Sequence, residues 1–230
     1  MLVAMHLGLT FDLQTDPHDE RSFGFPALAG SLRIPPPELS QGAPQAEFDS
    51  PETIQALQEA LESCGHRVTL IGNAEDLLRR GPKGCSEFDL VFNIAEGSHG
   101  RCREAWVPML LEQWGIPYVG SDATAQALGL DKVMSKRLAR ACGVPTPDWR
   151  VVESVEALGL ADRLPFPLIV KPRYEGSGLG VDPGAVVGDI DALRRRVVWV
   201  LERFHQPCLV EQFIPFGELT VVLIGNGLGR

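Results

Sequence analysis

The sequence predicts an α/β protein in which a parallel sheet covered by helices is followed by a second unit of different construction. Two observations carry this prediction. Short apolar runs alternate with amphipathic segments over residues 1–121, an order typical of a parallel sheet with helices on its faces. From residue 122 this alternation is lost, and an apolar run that ends at Lys171 leads directly into a glycine-dense loop.

The predicted strands of the first half are short apolar runs at residues 2–11, 68–71, 87–93 and 116–120. The predicted helices between them begin at Ser50–Pro51 and cover 74–80 and 103–114. Ser50 is expected to cap the first helix, because a serine oxygen accepts a hydrogen bond from a free N–H at a helix start. The buried face of the third is expected to carry Ala105, Met109, Leu110 and Trp114, and the proline-rich residues 14–49 are expected to form a long surface loop.

This order of strands and helices is Rossmann-like. Ligands of such sheets bind at the carboxyl ends of the strands. The loop 94–100 follows the third predicted strand, so we expect it at the mouth of a site.

The second half combines strands and helices less regularly. A helix is predicted to start near Ser121–Thr124 and to continue as an amphipathic stretch through 132–140. Further strands are predicted at 149–153, 167–171, 179–182, 207–213 and 219–224, with a helix at 189–203.

The segment after Lys171 is a candidate anion-binding loop. Glycines let backbone N–H groups approach an anion, and a nearby lysine adds charge. In a Walker A loop the lysine follows the glycines, and a dinucleotide-binding loop opens a helix, which Pro183 and Gly184 disfavour here. The pattern favours strand, loop, strand, with the loop folded as a flap over the phosphates of a nucleotide. A tight hairpin with a surface lysine is the alternative.

Composition argues against several function classes. The 230 residues carry a formal net charge of −9, whereas a nucleic-acid-binding face calls for basic charge. No apolar run approaches the length that a membrane span requires, about 18–20 residues. The five cysteines have neither C-x-x-C pairs nor zinc spacing, which favours reduced thiols in a cytosolic protein. We therefore expect a cytoplasmic protein with no nucleic-acid or membrane partner.

Several motifs then follow one another in a familiar order. They are Gly115–Ser121, Gly129–Lys132, Gly143–Pro147, Phe166–Pro172 with the glycine loop, Leu209–Ile214 and Gly217–Val221. This series resembles the ATP-grasp enzymes and, within them, the D-alanine–D-alanine ligase family, most densely over residues 88–226. The resemblance implies an α/β ATP-grasp fold. Its parts would be a Rossmann-like domain at 1–121, a central lobe with a glycine-rich flap at 122–208, and the start of an incomplete second lobe at 209–230.

The resemblance also implies roles for individual residues. Lys132 and Lys171 would hold the nucleotide phosphates, and Lys171 and Ser177 would be catalytic. The flap residues at the phosphates would be Glu175, Gly176, Ser177, Gly178 and Gly180. The adenosine would be bound by Glu211, Gln212, Phe213, Ile214 and Glu218. The alternatives are a solvated helix lysine for Lys132 and a surface ion pair for Glu218.

The reaction that the resemblance implies is ATP-dependent ligation. A substrate carboxylate attacks the γ-phosphate to give an acyl phosphate, and an amine then displaces phosphate to form an amide. The cofactors would be ATP and Mg²⁺, the substrates amino acids or peptides of cell-wall peptidoglycan synthesis, and the assembly a homodimer.

Two departures from the family pattern bear on the substrate. The loop after the third strand reads Asn93–Gly97 in place of a His-Gly pair, and the first strand leads into Asp12–Asp16, without the family's glutamate. We therefore doubt D-alanine as the substrate. The candidate specificity residues are Glu96, Arg101, Arg103 and Glu104, of which Glu96 and Arg103 are expected at the substrate. A polar loop without a binding role is the alternative.

The magnesium ligands of the family lie well beyond the strand that carries Glu218, and the sequence stops at Arg230. We therefore expect no metal ligand in this chain and expect the ligands beyond Arg230. A fragment of a longer protein is the favoured interpretation. The alternatives are a non-catalytic ATP-binding module and, on the glycine spacing alone, a nicotinamide-dependent oxidoreductase.

Overall fold

A computed structural model describes residues 3–14, 47–160, 163–222 and 225. Two four-stranded sheets organise these residues, the first parallel and the second antiparallel. The predicted α/β class is confirmed. The long loop expected at 14–49 lies outside the described residues except at its two ends.

The parallel sheet consists of β1 (His6–Thr10), β2 (Arg67–Gly72), β3 (Leu90–Asn93) and β4 (Tyr118–Val119), in the order β2-β1-β3-β4. The apolar side chains of β1 are buried because this strand lies inside the sheet, paired with β2 and β3. The carboxyl ends of β1 and β3 meet, and the Thr10 hydroxyl donates a hydrogen bond to Asn93 Oδ1 at 2.7 Å. The segments that follow these two strands therefore share one edge of the sheet.

The helices of the first half are α1 (Pro51–Ser63), α2 (Ala74–Cys85) and α3 (Trp106–Trp114). Ser50 caps α1 as predicted, and its Oγ accepts a hydrogen bond from the Thr53 N–H at 3.2 Å. α2 extends past the predicted end at residue 80. The chain kinks at Gly81, where φ is 68°, and Pro82 then begins a further turn.

These helices bury the sheet in two apolar clusters. Ile54 of α1 lies in a cluster with Leu9. Leu77 of α2 and Leu111 of α3 lie in the other, with Val91.

Met109 departs from the predicted buried face of this helical segment. It is 57% exposed, whereas Ala105 is buried and Leu110 and Trp114 pack against the second apolar cluster, as predicted. A 3₁₀ turn at Arg103–Ala105 precedes the α-helix. Because a 3₁₀ turn has fewer residues per turn, it shifts the phase at which side chains of α3 face the core.

Two helices, α4 (Ala123–Leu130) and α5 (Lys132–Ala141), replace the single continuing helix of the prediction. The break lies at Asp131, whose ψ of 95° is not helical. The Asp131 carboxylate accepts hydrogen bonds from the N–H groups of Val133 and Met134 at 3.0 and 3.2 Å. An aspartate satisfies free N–H groups at a helix start, so α5 begins with Lys132 as its first residue.

The antiparallel sheet consists of β5 (Trp149–Val152), β6 (Leu168–Pro172), β7 (Val186–Val187) and β8 (Cys208–Gln212), in the order β5-β8-β6-β7. One long helix, α6 (Ile190–Phe204), contributes Leu193, Val197 and Val200 to the core formed with this sheet. The strands predicted at 149–153, 167–171 and 207–213 and the helix at 189–203 are confirmed within two residues at each end.

Two predicted strands of the second half are wrong. Residues 179–182 form turns, in which the N–H groups of Leu179 and Val181 bond to the carbonyls of Gly176 and Gly178. The chain returns to β6 later, as β7. Of the strand predicted at 219–224, residues 219–222 form no strand and Leu219 is 94% exposed, while residues 223 and 224 lie outside the described residues. A strand needs a partner for its backbone groups, and none of the described residues pairs with this segment.

The expected boundary at 208/209 falls within β8, which pairs with both β5 and β6. The division at 121/122 lies between β4 and α4. Both boundaries stay predictions. In the part of the chain that is described, no helix has the length and apolar character needed to cross a membrane.

Candidate functional site

The two predicted phosphate-binding lysines face the same region of the structure. Lys132, the first residue of α5, donates a hydrogen bond from Nζ to the carbonyl oxygen of Glu175. Lys171, near the end of β6, lies with Nζ 2.5 Å from Glu211 Oε1. Burial lowers the pKa of Lys132 to about 8, and among the charged groups around it Lys171 lowers that pKa most. The backbone N–H of Lys132 also donates a hydrogen bond to the Arg173 carbonyl at 3.3 Å, which places the start of α5 beside the end of β6.

The glycine loop connects β6 to β7 beside these lysines. Gly178 and Gly180 have φ values of 75° and 72°, and Ser177 has a φ of 45°, so three residues adopt the left-handed region. A Cβ on Gly180 would lie 2.5 Å from Pro172 Cγ, so only glycine allows this close approach of the loop to β6. A strand follows the loop, as predicted, and pairs with β6, but it starts at Val186 and not at residue 179.

Ion pairs fasten the loop on both sides. Before the glycines, Arg173 donates two hydrogen bonds to the Asp131 carboxylate, at 2.8 and 2.7 Å. After them, Arg196 of α6 donates to Asp182 at 3.0 Å and to the Gly180 carbonyl at 2.7 Å. The segment between these attachments carries the exposed Ser177 and Gly178.

Glu211 lies between two lysines, of which sequence analysis identified one. Its Oε2 lies 2.5 Å from Nζ of Lys136, and its Oε1 lies 2.5 Å from Nζ of Lys171. Burial acts to raise the pKa of Glu211, but the two ammonium groups hold it below its ordinary value. Lys136 is a functional candidate that sequence analysis missed. The available signal was its spacing, because Lys136 follows Lys132 by one helical turn on α5.

The other predicted adenosine-binding residues follow Glu211 without joining the lysines by any contact. The backbone N–H groups of Gln212 and Phe213 bond to the carbonyls of Asp148 and Pro167, at 3.1 and 3.0 Å. Ile214 is 51% exposed. Glu218 is exposed, and among the described residues it has no hydrogen-bond or ion-pair partner.

Arg103 brings the first sheet's loop to the glycine loop. It donates hydrogen bonds to the Tyr174 carbonyl at 2.8 Å and to Glu47 Oε2 at 2.6 Å, and it lies 3.5 Å from Glu175 Oε2. The other oxygen of Glu47 accepts a hydrogen bond from the Gly176 N–H at 2.8 Å. Sequence analysis missed Glu47, because nothing distinguishes it within the polar segment 14–49.

Glu96 lies at the same edge of the parallel sheet. Its backbone N–H and that of Gly97 donate to Asp12 Oδ2, at 2.9 and 2.8 Å. Burial, reinforced by the charges of Glu104 and Glu47, raises the pKa of Glu96 to about 7. Burial also raises the pKa values of Glu104, Glu175 and Asp12. The site therefore gathers the carboxyl groups of Glu47 and Glu175 around Arg103 at the glycine loop, where Lys132 also binds.

Arg101, the remaining candidate specificity residue, faces Asp131 instead. Its guanidinium lies 3.1 Å from Asp131 Oδ2 and stacks over the Tyr174 ring. No group of three or more His, Cys, Asp or Glu side chains within the described ranges is arranged to hold a metal ion.

Comparison with known proteins finds similarity to D-alanine–D-alanine ligases. A family model described as the D-ala D-ala ligase C-terminus matches residues 138–230. The D-alanine–D-alanine ligase of Gloeobacter violaceus is 35% identical over 187 residues, a match that covers 76% of this chain and 59% of that protein. The chain is thus similar to D-alanine–D-alanine ligases over about three quarters of its length.

Solved structures show the same ATP-grasp fold. The D-alanine–D-alanine ligase of Bacillus anthracis complexed with ATP matches with a TM-score of 0.57 and 21% identity, over 92% of this chain and 59% of that one. A RimK domain ATP-grasp protein of Sphaerobacter thermophilus matches with a TM-score of 0.52 and 24% identity, over 91% of this chain and 64% of that one. This ATP-grasp chain thus spans less than two thirds of the length of these relatives.

Proposed function

We propose that this protein binds ATP and belongs to an ATP-dependent carboxylate–amine ligase. The observation that carries the proposal is the position of Lys132, which bonds to the Glu175 and Arg173 carbonyls and so lies beside the glycine loop that follows Lys171. Two ammonium groups offset the charge of a polyphosphate, and a loop without bulky side chains lets its N–H groups reach phosphate oxygens. The similarity to D-alanine–D-alanine ligases and the ATP complex of the Bacillus anthracis relative support the same proposal.

Both lysines exchange partners when the nucleotide binds. Lys132 leaves the Glu175 carbonyl and Lys171 leaves Glu211, so that both ammonium groups point to phosphate oxygens. The pKa of Lys132, lowered to about 8, leaves it mostly protonated at pH 7, and a nearby phosphate favours the protonated form further. Ser177, exposed at the tip of the glycine loop, supplies a hydroxyl to the γ-phosphate.

The chemistry has two steps. A carboxylate oxygen of the first substrate attacks the γ-phosphorus. The bond between that phosphorus and the oxygen of the β-phosphate breaks, so that ADP is released and an acyl phosphate forms. The amine of the second substrate then attacks the carbonyl carbon, loses a proton, and expels phosphate as the amide forms. The protein's contribution is to position the reactants, neutralise charge and exclude water that would hydrolyse the acyl phosphate.

Residues of β8 and the segment after it are proposed to bind the adenosine. Glu211 accepts a hydrogen bond from the adenine amino group, while the backbone of Gln212, Phe213 and Ile214 lines the base. Glu218 is proposed to bind the ribose hydroxyls, which requires the exposed segment that carries it to fold against the nucleotide.

Glu96 and Arg103 are proposed to bind the substrate. The carboxyl groups of Glu96 and Glu104 suit the ammonium of an amino acid or peptide, and Arg103 suits a carboxylate. We further propose amino-acid or peptide substrates of peptidoglycan precursor synthesis, a cytoplasmic location, a homodimer and Mg²⁺ as cofactor. The described residues do not fit a magnesium site by themselves, so no step here depends on one.

Two measurements on the full-length protein test the proposal. Titration calorimetry with ATP should show saturable binding, and phosphate release with ATP, Mg²⁺ and a panel of amino acids and dipeptides should appear only with a matching pair. If ATP bound saturably but no pair of substrates gave phosphate release, the protein would be a nucleotide-binding module and the proposed ligase activity would be overturned. Absence of ATP binding would overturn the proposal as a whole.

A further inference from the structure

The buried Glu211 carboxylate pairs with two lysines, one of which is proposed to leave it when a nucleotide binds. Glu211 is 6% exposed, and each of its oxygens lies 2.5 Å from a different ammonium group. A buried carboxylate that loses its cation is strongly destabilised. If the ammonium group of Lys171 turns towards a phosphate, Glu211 therefore needs a second cation that keeps its contact with the carboxylate.

Lys136 has further contacts that hold its side chain beside Glu211. Beyond Glu211, its Nζ donates a hydrogen bond to the Thr146 hydroxyl at 2.6 Å and lies 5.0 Å from the centre of the Trp149 ring. Its side chain is 11% exposed, against 23% for Lys171. Lys136 also lies one turn inside α5, whereas Lys171 lies near the end of β6, where the glycine loop begins.

We propose that Lys136 is a positioning residue, which keeps Glu211 ionised and in place while Lys171 moves from that carboxylate to a nucleotide phosphate. This inference rests on the proposed function. Lys136 itself does not reach the phosphates in this account. It acts through Glu211. Because the Lys136 ammonium group neutralises part of the carboxylate charge, Glu211 attracts Lys171 less strongly.

A double-mutant cycle tests this role. In the full-length protein, K136M should weaken ATP binding about tenfold or more, because Lys171 becomes the sole cation of a buried carboxylate and is retained by it. In the E211Q background the same K136M change should alter ATP affinity less than about twofold, because no charge remains to retain Lys171. K136R should preserve most of the affinity, since it keeps the positive charge. An equal effect of K136M in both backgrounds would mean a merely structural role and would overturn the proposal.

A second readout does not depend on nucleotide. The titration of the Glu211 carboxyl, followed by carbon-13 NMR, should shift to higher pH in K136M and should stay nearly unchanged in K136R, because burial alone raises the pKa of Glu211 and Lys136 opposes it. An unchanged titration in a folded K136M protein would overturn the role of Lys136 even if ATP binds. Conversely, a wild-type protein that binds no ATP while Glu211 titrates as expected would refute the proposed function and leave the sharing of Glu211 established.

Discussion

The carboxylate of Glu47 accepts a hydrogen bond from the backbone N–H of Gly176 at 2.8 Å, across 129 residues of sequence. Its other oxygen accepts one from Arg103 at 2.6 Å. Through these two bonds the segment before α1, the loop after β3 and the glycine loop are tied at one point. The protein's own carboxylate thereby satisfies a loop N–H that the proposed function assigns to the neighbourhood of phosphate.

We predict that E47Q loosens the glycine loop. The glutamine keeps one acceptor but loses the charge that pairs with Arg103, and a hydrogen bond to a charged group contributes about 1.5–3 kcal/mol. The amide hydrogen of Gly176 should exchange at least about tenfold faster, as measured by NMR-detected hydrogen exchange. The matched control is E62Q, at an exposed residue of α1. If the Gly176 amide exchanged as slowly in E47Q as in wild type, the Glu47 carboxylate would not be what holds the glycine loop in place.

Asp131 combines a helix cap with an ion pair, and substitutions can separate the two. D131N keeps an acceptor for the N–H groups of α5 but breaks the pair with Arg173, so unfolding free energy should fall by about 3 kcal/mol. D131A should cost about 1 kcal/mol more, because the cap is lost as well. Urea denaturation measures both.

The control for Asp131 is D189A, which removes an exposed cap of α6 and should cost only about 1 kcal/mol. If D131N proved no more destabilising than D189A, the buried ion pair would contribute little. The attachment of the glycine loop to α5 would then need another explanation.

Gly180 and Gly178 form a matched pair for testing the loop's close approach to β6. Both have positive φ, so alanine costs about 1–2 kcal/mol of backbone strain at either position. Only at Gly180 would the added Cβ also meet Pro172 Cγ, at 2.5 Å, whereas at Gly178 nothing lies within 4 Å. G180A should therefore lower the free energy of unfolding by at least about 1 kcal/mol more than G178A. Equal losses in urea denaturation would count against the described loop conformation.

The raised pKa of Glu96 makes stability depend on pH. Since that pKa rises from 4.5 to about 7 on folding, the folded state binds more protons than the unfolded state between these values. Stability should therefore fall as pH rises through this window, and E96Q should remove a loss on the order of 2 kcal/mol between pH 4.5 and 7.5. Urea denaturation of both proteins at several pH values checks this. A constant difference between E96Q and wild type across the window would contradict the buried state of Glu96.

Much of the fold follows from local sequence chemistry. The apolar runs of β1 and β6 and the serine–proline start of α1 specify their elements within a few residues. The break at Asp131 was missed because an aspartate can lie in a helix or cap one, and its partner Arg173 lies 42 residues away in sequence. The strand predicted at 179–182 is wrong because two glycines with positive φ turn the chain first.

The candidate site residues that the sequence predicts are those whose side-chain chemistry suits a phosphate directly. Lys132, Lys171 and the glycine loop follow from charge and spacing together with the family resemblance. Glu47 and Lys136 could not be singled out in the same way, because their partners lie 56 and 75 residues away in sequence. Long-range pairs of this kind become visible only once the two sheets are assembled.

The convergence of two lysines on one polyphosphate is the central claim, and ATP affinity tests it most directly. We expect K132M and K171M each to weaken ATP binding by about tenfold or more, since each removes a charge-assisted contact. AMP, which lacks the β- and γ-phosphates, should bind wild type and both variants with similar affinity. If either variant bound ATP as tightly as wild type while remaining folded, the two ammonium groups would not share a triphosphate, and the account would be contradicted.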